Sequence, residues 1–187
     1  MKYLFLVFIA LAVQSCERTP NTLTSKPMNT ELWWSYVAEY DGLIGSTTIN
    51  LALKRRAPIS DFPVLVMTGV SYESSRKKPE LKMPEMEDLD FLNRVSEKRV
   101  AFVTSRTKAI WVGAFLHDNK QVDYFYVADS SGLEAALREF HQKECPGRRQ
   151  SFKSQSDPEW GAYLDFLYPN KLTIEHYRGE LEKLGAL

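Results

Sequence analysis

The chain is 187 residues long, 44% hydrophobic and 12% aromatic, which suits one domain with an apolar core. Lys and Arg (24) balance Asp and Glu (24), so the formal net charge is zero. A nucleic-acid surface normally carries a basic excess, so that class of partner is not expected.

The first segment is apolar from Tyr3 to Val13, behind the positive charge of Lys2. At about 1.5 Å per residue it reaches roughly 16 Å, short of a hydrocarbon core of about 30 Å, and it has the length of a signal-peptide core. It stops at Val13-Gln14-Ser15-Cys16. That stop resembles the bacterial lipoprotein signal: an aliphatic residue, a small residue beside the cleaved bond, then a thiol that takes a diacylglycerol by thioether formation. The resemblance implies that residues 1–15 are removed and that Cys16 carries lipid, making the membrane the first partner. Glu17 is not the Asp that marks inner-membrane retention, so the expected location is the cell envelope, at the outer membrane facing the periplasm. Cleavage after Ala10-Leu11-Ala12 and a short uncleaved anchor stay open as alternatives. Residues 16–31 are rich in Thr, Asn, Pro and Ser and read as a flexible tether. With Cys16 under lipid, Cys145 has no partner within the chain; a buried, inert thiol is expected, not a disulfide scaffold.

The domain then spans 32–187. Leu32 to Tyr40 is aromatic and β-prone, and Thr47 to Leu53 alternates, giving a hairpin with a loop at 41–46. Pro63 to Tyr72 is a third strand, and Glu73 to Pro84 a polar loop. Met86, Leu89, Leu92 and Val95 mark a helical face from Glu85 to about Thr104. Ala109–Leu116 and Gln121–Ala128 are strands around a tight turn, His117-Asp118-Asn119-Lys120. Ser131 and Glu134 form a capping box for a helix whose stripe is Leu133, Ala136, Leu137 and Phe140. Cys145-Pro146-Gly147 ends it, and Arg148–Ser154 is the last strand. Asp157 caps the next helix, with Pro158 at its first position and Trp160, Leu164 and Leu167 on one face. Tyr168-Pro169-Asn170 breaks it. Ile174, Tyr177, Leu181 and Leu184 define a final helix capped by Thr173. The expected fold is α+β: a largely antiparallel sheet of about six strands with helices packed on one face.

The ordered motifs Trp33-Trp34-Ser35-Tyr36, Thr47–Leu53, Asp123-Tyr124-Phe125-Tyr126 and DPEWGAYLDFLYP (Asp157, Pro158, Trp160, Tyr163, Tyr168, Pro169) resemble the bacterial domain of unknown function 695 family over roughly 31–185. The resemblance carries over no activity and no catalytic residue. Some similar proteins continue into a second domain resembling a regulator of ribonuclease E; nothing about RNA metabolism is transferred from them.

Sites of chemistry are sparse. His117, His141 and His176 lack metal-ligand spacing, although His141 and Cys145 stand four apart at a helix end. His117 and His176 read as exposed. No phosphate loop, nucleophile elbow or metal motif is present in the sequence, and no cofactor, metal or catalytic residue is assigned. Asp157 near Trp160 could serve a carbohydrate site, but capping explains it more simply. The basic runs at 54–56, 76–78 and 148–149 read as solvated edges. Trp33, Trp34, Tyr36, Tyr124 and Tyr126 are a candidate recognition surface if the strands leave them exposed, with Phe125 opposite the two tyrosines. The expected function is a lipid-anchored envelope module that binds a protein or glycan partner. The alternative is a small periplasmic hydrolase-like enzyme or ligand-binding protein.

Overall fold

A computed structural model describes residues 31–73, 80 and 82–187. The signal peptide, Cys16, nearly all of the tether and Arg76-Lys77-Lys78 lie outside the described residues. Six strands form one sheet in the order β1-β2-β4-β5-β3-β6. They are β1 (Trp33–Tyr40), β2 (Leu43–Asn50), β3 (Val64–Ser71), β4 (Ala109–His117), β5 (Lys120–Val127) and β6 (Gln150–Ser156). Every pairing is antiparallel. The helices are α1 (Met86–Arg106), α2 (Leu133–Glu144), α3 (Lys171–His176) and α4 (Arg178–Lys183), with a π-helical turn at Ala162–Leu167. The α+β class with its six-stranded antiparallel sheet is as expected.

The helices, however, cover both faces of the sheet. On one side α1 and α2 pack on Val66, Phe125 and Val127 through Val103, Leu133 and Leu137. On the other, the segment after β6 packs Trp160, Tyr163, Leu167 and Leu181 on Leu65, Tyr124, Tyr126 and Ile49. The central strand β5 is therefore buried without a break from Asp123 to Val127. A strand covered on both sides loses the polar half of its alternation, and Tyr124-Phe125-Tyr126-Val127 has none.

Several boundaries move, each for a local reason. Asp41 and Gly42 both take positive φ (51° and 78°), so β1 and β2 are joined by a two-residue turn and Leu43–Ser46 belong to the ladder. Strand β2 stops at Asn50, whose Oδ1 accepts from Leu32 N–H (3.0 Å) and Ala52 N–H (3.1 Å) and starts a 3-10 turn over Leu51–Arg55. The Asp118-Asn119 turn is the tight hairpin expected, again with both φ positive. The helix runs on through Val100–Val103 to Arg106, as expected, but Met86, counted on its apolar face, is exposed. At α2 the capping box does not form. Asp129 Oδ1 takes both the Ser131 N–H (2.9 Å) and its hydroxyl (2.7 Å), and Gly132, at φ 73°, is the N-cap residue. The last helix is split at Tyr177, and its cap is Asn170, whose Oδ1 accepts from Thr173 N–H at 2.9 Å. No described helix is long and apolar enough to cross a membrane.

Candidate functional site

The aromatic residues singled out above form interior, not surface. Trp34, Tyr36, Tyr124 and Tyr126 are all buried. Trp34 stacks on Tyr36 with centroids 5.0 Å apart, and the Tyr36 hydroxyl donates to the Leu167 carbonyl (2.9 Å). Trp33 of β1, half-buried, stacks on Trp111 of β4 at 4.3 Å. Burial pushes the Tyr124 phenol up to about 12 and raises those of Tyr36 and Tyr126 further. The segment that covers them lies more than 30 residues away in sequence, so strand alternation assigned their faces without showing that both were covered.

That covering segment is built on Asp157. Its carboxylate accepts from Gly161 N–H (2.9 Å), Ala162 N–H (3.0 Å) and the Tyr126 hydroxyl (2.6 Å). Burial opposes its charge, but the three donors hold the carboxyl below the usual carboxylate range. Asp157 therefore caps, as expected, though it caps a helix that begins at Gly161 rather than at Pro158. Trp160 between them adopts φ 59°. Its indole lies flat on Tyr126 (4.1 Å, 7°) and donates to the Phe62 carbonyl at 3.1 Å. The buried stripe is Trp160, Tyr163 and Leu167, with Tyr163 in the place expected for Leu164. The Tyr163 hydroxyl donates to Asn50 O (2.8 Å), Pro169 is buried, and Lys54 Nζ sits 4.6 Å over the Tyr168 ring. The motif from Asp157 to Pro169 is thus a clasp for one face of the sheet.

The opposite face holds a polar cluster that sequence reasoning missed. Arg99 and Ser96 lie on the buried stripe of α1, Asp123 is in β5, and His141 is in α2; all four are buried. Arg99 Nη1 donates to Asp123 Oδ2 in a short ion pair. Ser96 Oγ and Trp111 Nε1 donate to Asp123 Oδ1 at 2.7 and 3.2 Å. Arg99 Nε donates to His141 Nε2 at 2.9 Å. A guanidinium can only donate, so Nε2 must accept. Burial, aided by the Arg99 charge, lowers the His141 pKa to about 4 and keeps the ring neutral. The ring proton is consequently on Nδ1. His141 lines a cleft of about 240 Å³ between α2 and the β3–β6 edge, together with Thr68, Leu137, Arg138, Gln150 and Phe152. Its lone pair is consumed by Arg99, so what His141 offers is a hydrogen-bond donor. It has no free lone pair with which to act as a base.

A family model described as Family of unknown function (DUF695) matches residues 31–168. The chain belongs to the DUF695 family. The match runs from just before β1 to Tyr168 and takes in the Arg99–Asp123–His141 cluster and all of the clasp but Pro169 in this DUF695 domain. No curated protein matches the chain.

Of the remaining candidate residues of the DUF695 domain, some are held in the structure and others face solvent. His117 is half-buried, not exposed: Nε2 is 3.0 Å from the Tyr40 carbonyl and the ring stacks on Phe115. His176 is exposed. Cys145 is buried, and burial pushes its thiol up, away from reactivity. His141 and Cys145 do not form a metal site, because His141 Nε2 faces Arg99. Among the described residues there is no group of three or more His, Cys, Asp or Glu side chains placed to hold a metal ion. Arg148 is paired with Asp88 (2.5 Å) and lies over Phe91, whereas Lys54, Arg55 and Arg56 are exposed.

Proposed function

We propose that the chain is a cell-envelope protein anchored by lipid on Cys16, at the outer membrane facing the periplasm, whose DUF695 domain binds a partner and does not transform it. The lipoprotein-like stop at Cys16 and the tether of residues 16–31 support the anchoring. The observation that supports binding over turnover is the state of His141. It is a buried titratable group opening onto a cleft, and its base lone pair is already held by Arg99. A hydrolytic site needs a nucleophile and a base free to take its proton at the reacting centre; at His141 this cleft presents a donor, and its one carboxylate, Glu134, is paired with Arg138 at 3.2 Å.

Radiolabelled palmitate given to the native host tests the anchoring. Wild type is expected to incorporate label and to fractionate with membranes, and Cys16→Ala to lose both. An unlabelled wild type would overturn the lipid anchor and leave a periplasmic or signal-anchored product. Label retained in Cys16→Ala would overturn the assignment of the cysteine.

A further inference from the structure

The two edges of the sheet are treated differently. At the β1 edge the outward backbone groups of Val37 are occupied: the Tyr177 hydroxyl accepts from Val37 N–H (3.4 Å) and donates to its carbonyl (3.2 Å). At the other edge, Ser71 N–H donates to Arg149 O and Asp157 N–H donates to Pro63 O, both at 2.8 Å. In an antiparallel ladder this alternation turns the odd residues of β6 toward β3. The N–H and C=O groups of Gln150, Phe152, Ser154 and Ser156 then point outward, and no described strand pairs with them. A run of unpaired backbone groups is a template for one more strand.

The surroundings of this edge select the strand's chemistry. From Pro146 to Ser156 there is no carboxylate, while Arg149 and Lys153 are exposed and form no ion pair with any described residue. Lys153 lies on one face of the sheet. On the other face the strand would pass the mouth of the cleft that His141 lines, where Arg138 is a donor and is paired with Glu134 at 3.2 Å. We infer that the β6 edge, with the adjoining cleft, receives an extended acidic segment of a partner protein by antiparallel strand addition. The inference rests on the binding reading above and names its partner class. A second copy of this chain fits less well, since antiparallel pairing centred on β6 sets Lys153 against Lys153.

The test uses the full chain in detergent and a fluorescent, end-capped peptide of about eight residues that alternates Thr or Val with Glu. Its comparator carries Lys in place of Glu. The Glu peptide is expected to bind and the Lys peptide to bind at least about tenfold more weakly. Ser154→Pro removes an outward N–H without touching the β3 ladder and is expected to lower affinity about tenfold. Lys153→Glu is expected to narrow or invert the preference, and this holds the test open should the proline variant unfold. Equal binding of both peptides, or binding untouched by Ser154→Pro with its fold intact, would overturn the inference. So would a wild-type chain that doubles its mass through β6. A photocrosslinker at Gln150 in the native host separates the two levels. An adduct there without peptide binding would leave the binding reading standing with a different partner class, and no adduct with no peptide binding would sink both.

Discussion

Asp123→Ala is expected to destabilise the domain by about 3–5 kcal/mol, because it leaves a buried arginine without its counter-charge. Arg99 and Asp123 are each fully buried, at 0% side-chain exposure. The substitution removes the acceptor for Arg99 Nη1 and, with it, the partners of Ser96 Oγ and Trp111 Nε1. Buried donors left without acceptors add to the uncompensated charge. A small domain has only about 5–15 kcal/mol in total, so the loss brings it close to unfolding at physiological temperature. The cost is expected to belong to the broken pair more than to any net stabilisation by the intact one. Replacing both partners, Arg99→Met with Asp123→Leu, should therefore recover much of the stability, since it removes both desolvation penalties. Urea unfolding of the wild type and the two variants checks this. A loss below about 1 kcal/mol for Asp123→Ala would mean that water reaches the pair.

Trp160→Ala is the second large effect, expected at about 3–5 kcal/mol. The indole is fully buried, lies flat on Tyr126, meets Tyr163 edge-on at 6.0 Å and donates to the Phe62 carbonyl. Removing it opens a cavity between the clasp and the sheet. The backbone adds a second signature. Trp160 holds φ 59°, a conformation costing a side-chain-bearing residue about 1 kcal/mol that glycine escapes. Trp160→Gly loses the same indole and so should be no less stable than Trp160→Ala, the reverse of the usual order inside a helix. A glycine variant clearly weaker than the alanine one, measured by thermal unfolding, would contradict the left-handed placement of this residue. A tryptophan-to-alanine loss under about 1 kcal/mol would contradict the clasp itself.

Sequence patterns located strands and helices well wherever the determinant was local. Asp118-Asn119 between two apolar runs gave the β4–β5 hairpin, and the 3.6-residue spacing of Leu92, Val95 and their neighbours gave α1. Alternation also placed Phe125 opposite Tyr124 and Tyr126. It could not say what covers each face, because Trp160 and Tyr163 reach Tyr126 from across the chain. For that reason a candidate binding surface proved to be core, and the helices proved to lie on both sides. Asp157 was recognisable as a capping residue, yet the left-handed Trp160 that delays the helix to Gly161 is set by stacking on Tyr126. The polar cluster did leave a trace. Arg99 follows Val95 at four residues, His141 follows Leu137 at four, and Asp123 stands between Val122 and Tyr124 in the apolar run of β5. Three polar residues at the buried positions of three elements amount to a buried network.

His141 is fixed as a neutral donor with its proton on Nδ1. Nitrogen-15 NMR of the histidine side chains, followed from pH 8 to pH 4, tests it directly. The expected result is a ring protonated on Nδ1, with Nε2 accepting from Arg99, that begins to take a second proton only as the pH approaches about 4. Because the unfolded ring titrates near 6.5, the unfolded state binds more protons between these two values. Stability is therefore full above about pH 6.5 and falls as the pH drops toward 4, by up to about 1.4 kcal/mol per pH unit from this group. A His141 ring carrying its proton on Nε2, or titrating near 6.5, would contradict the account. It would restore a free base to the cleft and with it the case for an enzyme.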